Sequence, residues 1–138
     1  LQVIPRAFTQ AEVEAHFDQV EQFYTRRSPP DAPAALLADA RLAQYADALA
    51  RKRVALAFER LSPIMERRAV GHAIVMSSSL IRGALTAVFW IKRPAWPVQT
   101  FLEMEDADRW LRQGFVAQGR LAPMAPARWW EPLLKRVQ

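Results

Sequence analysis

The chain has no cysteine. That excludes a disulfide scaffold, a thiol nucleophile and a thiolate zinc site. Histidine occurs only at His16 and His72, so a protein-held transition metal would have to rest on carboxylates, and no metal or other cofactor is expected. The phosphate-cradling patterns G-x-x-x-x-G-K-[ST] and G-x-G-x-x-G are missing. So is the G-x-S-x-G elbow of a hydrolase. No wholly apolar run is longer than a few residues, which leaves no transmembrane segment. Leu1-Gln2-Val3-Ile4 has neither a basic start nor a long apolar stretch, so it does not read as a secretory signal. It reads as a strand entered partway, and a cytoplasmic location is expected.

What is present fits one globular domain of 138 residues. Hydrophobic residues make up 51% and charged residues 24%, too apolar a mixture for a disordered chain. The formal net charge is +5, carried by sixteen arginines and three lysines against 14 acids. A GC-rich bacterial genome favours arginine codons. A modest excess of this kind is a weak electrostatic footprint, so nucleic acid is not an expected partner.

Apolar periodicity then marks the elements. Thr9-Gln10-Ala11-Glu12 has the form of a capping box, and Val13, Phe17, Val20 and Tyr24 follow as one helical stripe. Pro29-Pro30-Asp31-Ala32-Pro33 ends that helix in a stiff loop. Ala34–Asp39 reads as a short buried strand. Ala50, Val54, Ala57 and Leu61 mark a second helix, with Asp47 at its start and Ser62-Pro63 expected to end or kink it. His72–Met76 is the clearest buried strand, with Ser77-Ser78-Ser79 behind it. Ile81, Ala84, Leu85 and Val88 mark a third helix, stopped at Arg93-Pro94. Val98–Leu102 alternates as a half-buried strand. Ala107, Trp110, Leu111 and Phe115 mark a fourth helix, with Gly119 as its stop. Helices are thus expected near 11–26, 47–61, 80–92 and 106–118. Strands alternating with helices argue for an α/β domain: a single-layer, mixed, mostly parallel sheet of four to five strands flanked by about four helices. A fifth strand is expected upstream of Leu1, antiparallel to Leu1–Pro5.

The run Ser78-Ser79-Leu80-Ile81-Arg82-Gly83-Ala84-Leu85-Thr86-Ala87-Val88-Phe89-Trp90, then Val98–Leu102, Ala107 and Trp110-Leu111, resembles the bacterial SpoIIAA-like proteins, relatives of the STAS domain of anti-anti-sigma factors. The strand Ala34–Asp39, ending in Asp, fits the same pattern. The resemblance spans about 1–112. It implies a STAS-like domain over 1–118, followed by a Pro- and Trp-containing tail over 119–138. It also implies a role in binding partners within a bacterial signalling pathway rather than catalysis. Several members are switched by phosphorylation at the start of the helix after the second core strand. Here residues 39–47 hold no Ser or Thr, so that switch does not carry over. Asp47 reads either as a standing negative charge or, more simply, as an acid on the helix dipole.

Four groups of side chains remain as candidates. Ser77, Ser78, Ser79 and Arg82 at a helix N-terminus could hold an anion or ligand, or one serine could cap the helix and the others fill a turn. Arg53, Arg60 and Arg67 recur every seven residues, as a solvated surface or for an acidic partner. His16 lies one turn from Glu12, as a solvated pair, and His72 reads as structural. Of the five tryptophans, Trp90 and Trp110 are expected in the core. Trp96, Trp129 and Trp130, with Arg53 and Arg60, form the candidate partner interface. The tail residues Leu121, Met124, Trp129, Trp130, Leu133 and Leu134 are expected to pack on the domain or on a second copy. The expected partner is therefore a protein, with a homodimer as one form. The second reading is a sensor or carrier of a small anionic or lipidic ligand near Ser77–Arg82.

Overall fold

The computed structural model describes residues 2–4, 9–43 and 48–135. In chain order the elements are β1 (Gln2–Val3), α1 (Gln10–Gln22) with a π-helical turn over Phe23–Arg27, β2 (Ala34–Asp39), α2 (Ala48–Arg68), β3 (Ala69–Val75), α3 (Ser79–Ile91), β4 (Val98–Phe101), α4 (Met104–Ala117) and the short α5 (Glu131–Leu134). The sheet runs β1-β2-β3-β4 in sequence order, and every described pairing is parallel. Its body is β2, β3 and β4, and β1 adds two residues along Ala38 and Asp39. The expected mixture of strand directions is therefore absent among the described residues. The antiparallel strand expected upstream of Leu1, and Asp47 at the second helix start, lie outside them.

Strand order decides where the helices go. Each parallel crossover is right-handed, so a sheet whose strands follow one another without reversal carries all its crossover helices on one face. The core shows this. Leu36 of β2 packs with Val13, Phe17 and Val20 of α1, Val54 and Phe58 of α2, and Val88 of α3. Leu37, its neighbour on the opposite side of the pleat, packs with Ala107 and Leu111 of α4 and with Trp130.

On the helical face, Thr9 and Glu12 form the expected capping box at the start of α1. Phe58 is the aromatic hub. It meets Phe17 at 5.6 Å and Trp96 at 5.4 Å edge-on, and stacks on Phe89 at 6.1 Å. Helix α2 runs through Pro63 to Arg68 rather than ending there. Pro63 is exposed, so the carbonyl it leaves without a partner faces water. Leu61 and Met65 are both buried on the opposite side, and their packing offsets the cost of an interior proline, about 3 kcal/mol. Continuing the helix brings Arg68 over Tyr24. Its guanidinium donates to the carbonyls of Tyr24, Ala32 and Pro29 and to Ser28 Oγ, and so fixes the proline loop. Strand β3 then starts at Ala69, three residues before the expected position, with no loop between.

The other face is covered by α4 and the tail. Helix α4 lies close on β3: a Cβ added at Gly114 would come within 2.8 Å of Val70, and one at Gly71 within 2.7 Å of the Trp110 ring. The helix closes on Gly119, at φ +66°, with Gly119 N–H donating to Val116 and Arg120 N–H to Phe115, the paired bonds of a Schellman motif. The tail folds back over α4. Trp130 is only 3% exposed. Trp129 Nε1 donates to Asp108 at 2.9 Å, and the same carboxylate accepts from Arg112 at 2.7 Å. Arg112 also donates to the tail carbonyls of Pro123 and Ala125. Leu121 and Met124, expected to pack, are instead fully exposed. They sit in the extended stretch that spans from Gly119 to the tryptophan anchor, and nothing covers them.

Trp130→Ala is expected to lower the unfolding free energy by about 3–5 kcal/mol, the range for emptying a large aromatic from a core. Truncation after Gly119 should cost at least as much. Urea denaturation checks both, and an unchanged midpoint for either variant would mean that the second face does not need the tail.

Candidate functional site

One residue of the serine run serves as a helix cap. Ser78 caps α3, its Oγ accepting from Ile81 N–H at 3.4 Å. Ser77 and Ser79 are exposed, and Arg82 is exposed on the outer side of the helix. Ligands of open α/β sheets gather where the order reverses, and these strands do not reverse.

Two arginines of the basic stripe have acidic partners within the chain, while Arg67 is exposed near the end of α2. Arg53 meets Glu14 at 3.5 Å, and Arg60 meets Asp18 at 2.8 Å and Glu21 at 3.4 Å. These are surface pairs between α1 and α2. Such pairs add little stability, but they match two helices of complementary charge in one register. Arg53 and Arg60 are therefore occupied within the domain.

The tryptophans are distributed differently from the expectation. Trp96, placed in the candidate interface, is 4% exposed and sits in the helical-face core against Phe58. Trp130 is buried and Trp129 half-buried, both against α4. Trp110 is half-buried against Phe101, at 5.7 Å. Trp90, expected in the core, is 85% exposed. Its position follows from helical geometry. At about 100° per residue, Trp90 lies on the far side of α3 from Val88, the residue buried against α2. Leu80, Gly83, Ala87 and Ile91 share the outer side with it. Leu80 and Ile91 are exposed, and Gly83 has open space around it. The signal was legible in composition: within α3 only Ser79, Arg82 and Thr86 are polar, so its apolar surface extends past the side that a small domain can bury.

A second feature was missed. Beneath α1, α2 and α3 lies a cavity of about 90 Å³, floored by His72, Ile74 and Met76, the alternate residues of β3 that face the helices, and walled by Phe58, Ile81 and His16. His72 is 3% exposed, and neither ring nitrogen has a hydrogen-bond partner among the described residues. Burial pushes its pKa down to about 3, and the field of His16 adds to this. His16 is half-buried, and burial pushes it down to about 4. At a strand start, a lone histidine has no sequence signal that distinguishes a satisfied core residue from an unpartnered one. At the strand ends, Asp39 is buried and gripped by Arg41 through bonds of 2.9 and 2.7 Å. Among the described residues no group of three or more metal-ligating side chains converges. No described helix is long and apolar enough to cross a membrane. Comparison with protein-family models, curated proteins and solved structures finds no match to this chain.

The histidines set an acid limit on stability. An unfolded histidine takes its proton near pH 6.5, whereas folded His72 and His16 do so only near 3 and 4. Between those values the unfolded state binds more protons, so stability is full above pH 6.5 and is lost as pH falls toward 4. For His72 the slope is about 1.4 kcal/mol per pH unit. Urea midpoints between pH 7.5 and 5, above the ordinary carboxylate range, are expected to fall on acidification. His72→Leu should flatten the profile, and an equally steep profile in that variant would show that His72 is not the source.

Proposed function

We propose that this chain is a non-catalytic, STAS-like regulatory domain that acts by binding another protein in a bacterial signalling pathway, in the cytoplasm. The observation that carries this reading is the outer face of α3, where Leu80, Trp90 and Ile91 stand in solvent around the small residues Gly83 and Ala87. A large apolar side chain left in water forgoes roughly 1.5–3 kcal/mol of burial. Three on the outer side of one helix, Leu80 at its start and Trp90 and Ile91 at its end, make the kind of patch that a partner surface covers. The small residues between them let a partner backbone approach closely. The strand end and following loop, Asp39 to Ala43, carry no hydroxyl, and Asp39 is held by Arg41. A phosphoswitch of Ser or Thr at this strand end is therefore not part of the proposal. The ligand reading near Ser77–Arg82 has less support, because Ser78 is used as a cap.

A photo-crosslinking residue replacing Thr86, exposed beside Trp90 on α3, tests this in cells that make the protein. One discrete protein adduct is expected from position 86 and none from Gln113, exposed on α4. Trp90→Asp should weaken the interaction about thirtyfold, as loss of a hot spot worth about 2 kcal/mol implies, without changing the melting temperature. An adduct of twice the chain mass would identify the partner as a second copy. Absence of any adduct from a folded protein would remove the docking role.

A further inference from the structure

The cavity under the three helices is independent of the α3 outer face and has an unusual composition. Its floor and walls are apolar apart from His72, His16 and Arg51. Among these, His72 is the deepest, and both its nitrogens lack partners among the described residues. A neutral imidazole carries one donor and one acceptor. Leaving both unmade in the interior is costly, and buried polar groups in folded proteins are overwhelmingly paired with protein, water or ligand. A water on the His72 ring would find few further partners of the two to four it needs, because the neighbours along the strand are Ile74 and Met76 and the other polar lining residues, His16 and Arg51, lie where the cavity nears solvent. A hydroxyl on a hydrocarbon frame fits better: it makes one bond to the ring while its carbons fill the apolar walls.

We propose that this cavity binds a small neutral molecule, an alcohol on a compact apolar frame, whose hydroxyl meets the His72 imidazole. The size follows from the volume. An apolar cavity of about 150 Å³ takes benzene, so the roughly 90 Å³ here suits about four non-hydrogen atoms by the same scale. A carboxylate would have to leave water to sit against a ring that stays uncharged at neutral pH, and it would turn to Arg51 at the half-exposed rim rather than to His72. The half-exposed residues His16, Arg51, Ala84 and Leu85 line the cavity where it nears solvent, and they mark the path of entry.

2-Propanol, 2-chloropropane and acetate, each of the size the cavity suits, are the probes, titrated one at a time into the purified full chain at pH 7.5. The readouts are melting temperature and the imidazole nitrogen resonances of His72. 2-Propanol is expected to raise the melting temperature at millimolar concentration, to shift the His72 resonances, and to bind about tenfold more tightly than 2-chloropropane. In His72→Leu that preference should shrink to within about twofold while 2-chloropropane still binds. If His72→Leu does not fold, the resonance shift in the unaltered protein decides. Three outcomes overturn the proposal: 2-chloropropane binding as tightly as 2-propanol, acetate binding more tightly than either, or no shift of the His72 resonances at saturating 2-propanol. Trp90→Asp should leave 2-propanol binding unchanged. Loss of docking and loss of the ligand site are therefore separate results.

Discussion

Parallel strands laid side by side in chain order, each joined by a right-handed crossover, can only place the crossover helices together. Helices α1, α2 and α3 therefore share one face of the sheet, and the opposite face begins bare. A sheet exposed on one side would leave Leu37, Ala73 and Val75 in water. Helix α4 covers part of that surface, brought close by Gly71 and Gly114, and the tail covers more through Trp130. Asp108 ties the two coverings together by accepting from both Arg112 and Trp129. The tail is thus a layer of the domain, and its prolines set its path rather than release it.

The crowded face has the opposite difficulty. Three helices share a narrow sheet, and the outermost, α3, has more apolar surface than its neighbours can cover. Trp90 is left outside. Beneath the same helices, the small side chains Ala38, Ala40 and Ala43 at the strand ends leave space, and His72 faces into it. Both candidate sites arise from one topological cause, a surplus of helix over sheet, yet they present different chemistry: an open apolar ridge and a half-open pocket with an unpartnered ring at its floor.

Features governed by local rules were readable from the residues. The Thr9–Glu12 cap, the Gly119 stop, the β–α alternation and the strand Ala34–Asp39 each depend on neighbours a few positions away. Features governed by tertiary packing were not. Pro63 marks a helix end by local rules, but burial of Leu61 and Met65 carries α2 past it. Trp96 sits between prolines, which suggests an exposed turn, but Phe58 draws it inward. Arg53 and Arg60 look like an external basic stripe until α1 brings Glu14, Asp18 and Glu21 alongside. Trp90 shares a helix with core residues, and only the position of α2 decides which side faces out. The state of His72 depends on what lies across the fold, and no spacing in the chain records that.

The distribution of the indoles has a spectroscopic consequence. Trp96 and Trp130 are enclosed, Trp110 and Trp129 are partly covered, and Trp90 alone stands in solvent. Unfolding moves the covered rings into water and shifts their emission to the red. Coverage of Trp90 by a partner shifts its emission to the blue while the others stay unchanged. Loss of structure and engagement of the outer helix thus pull the fluorescence in opposite directions, and the unlabelled chain reports which of the two has occurred.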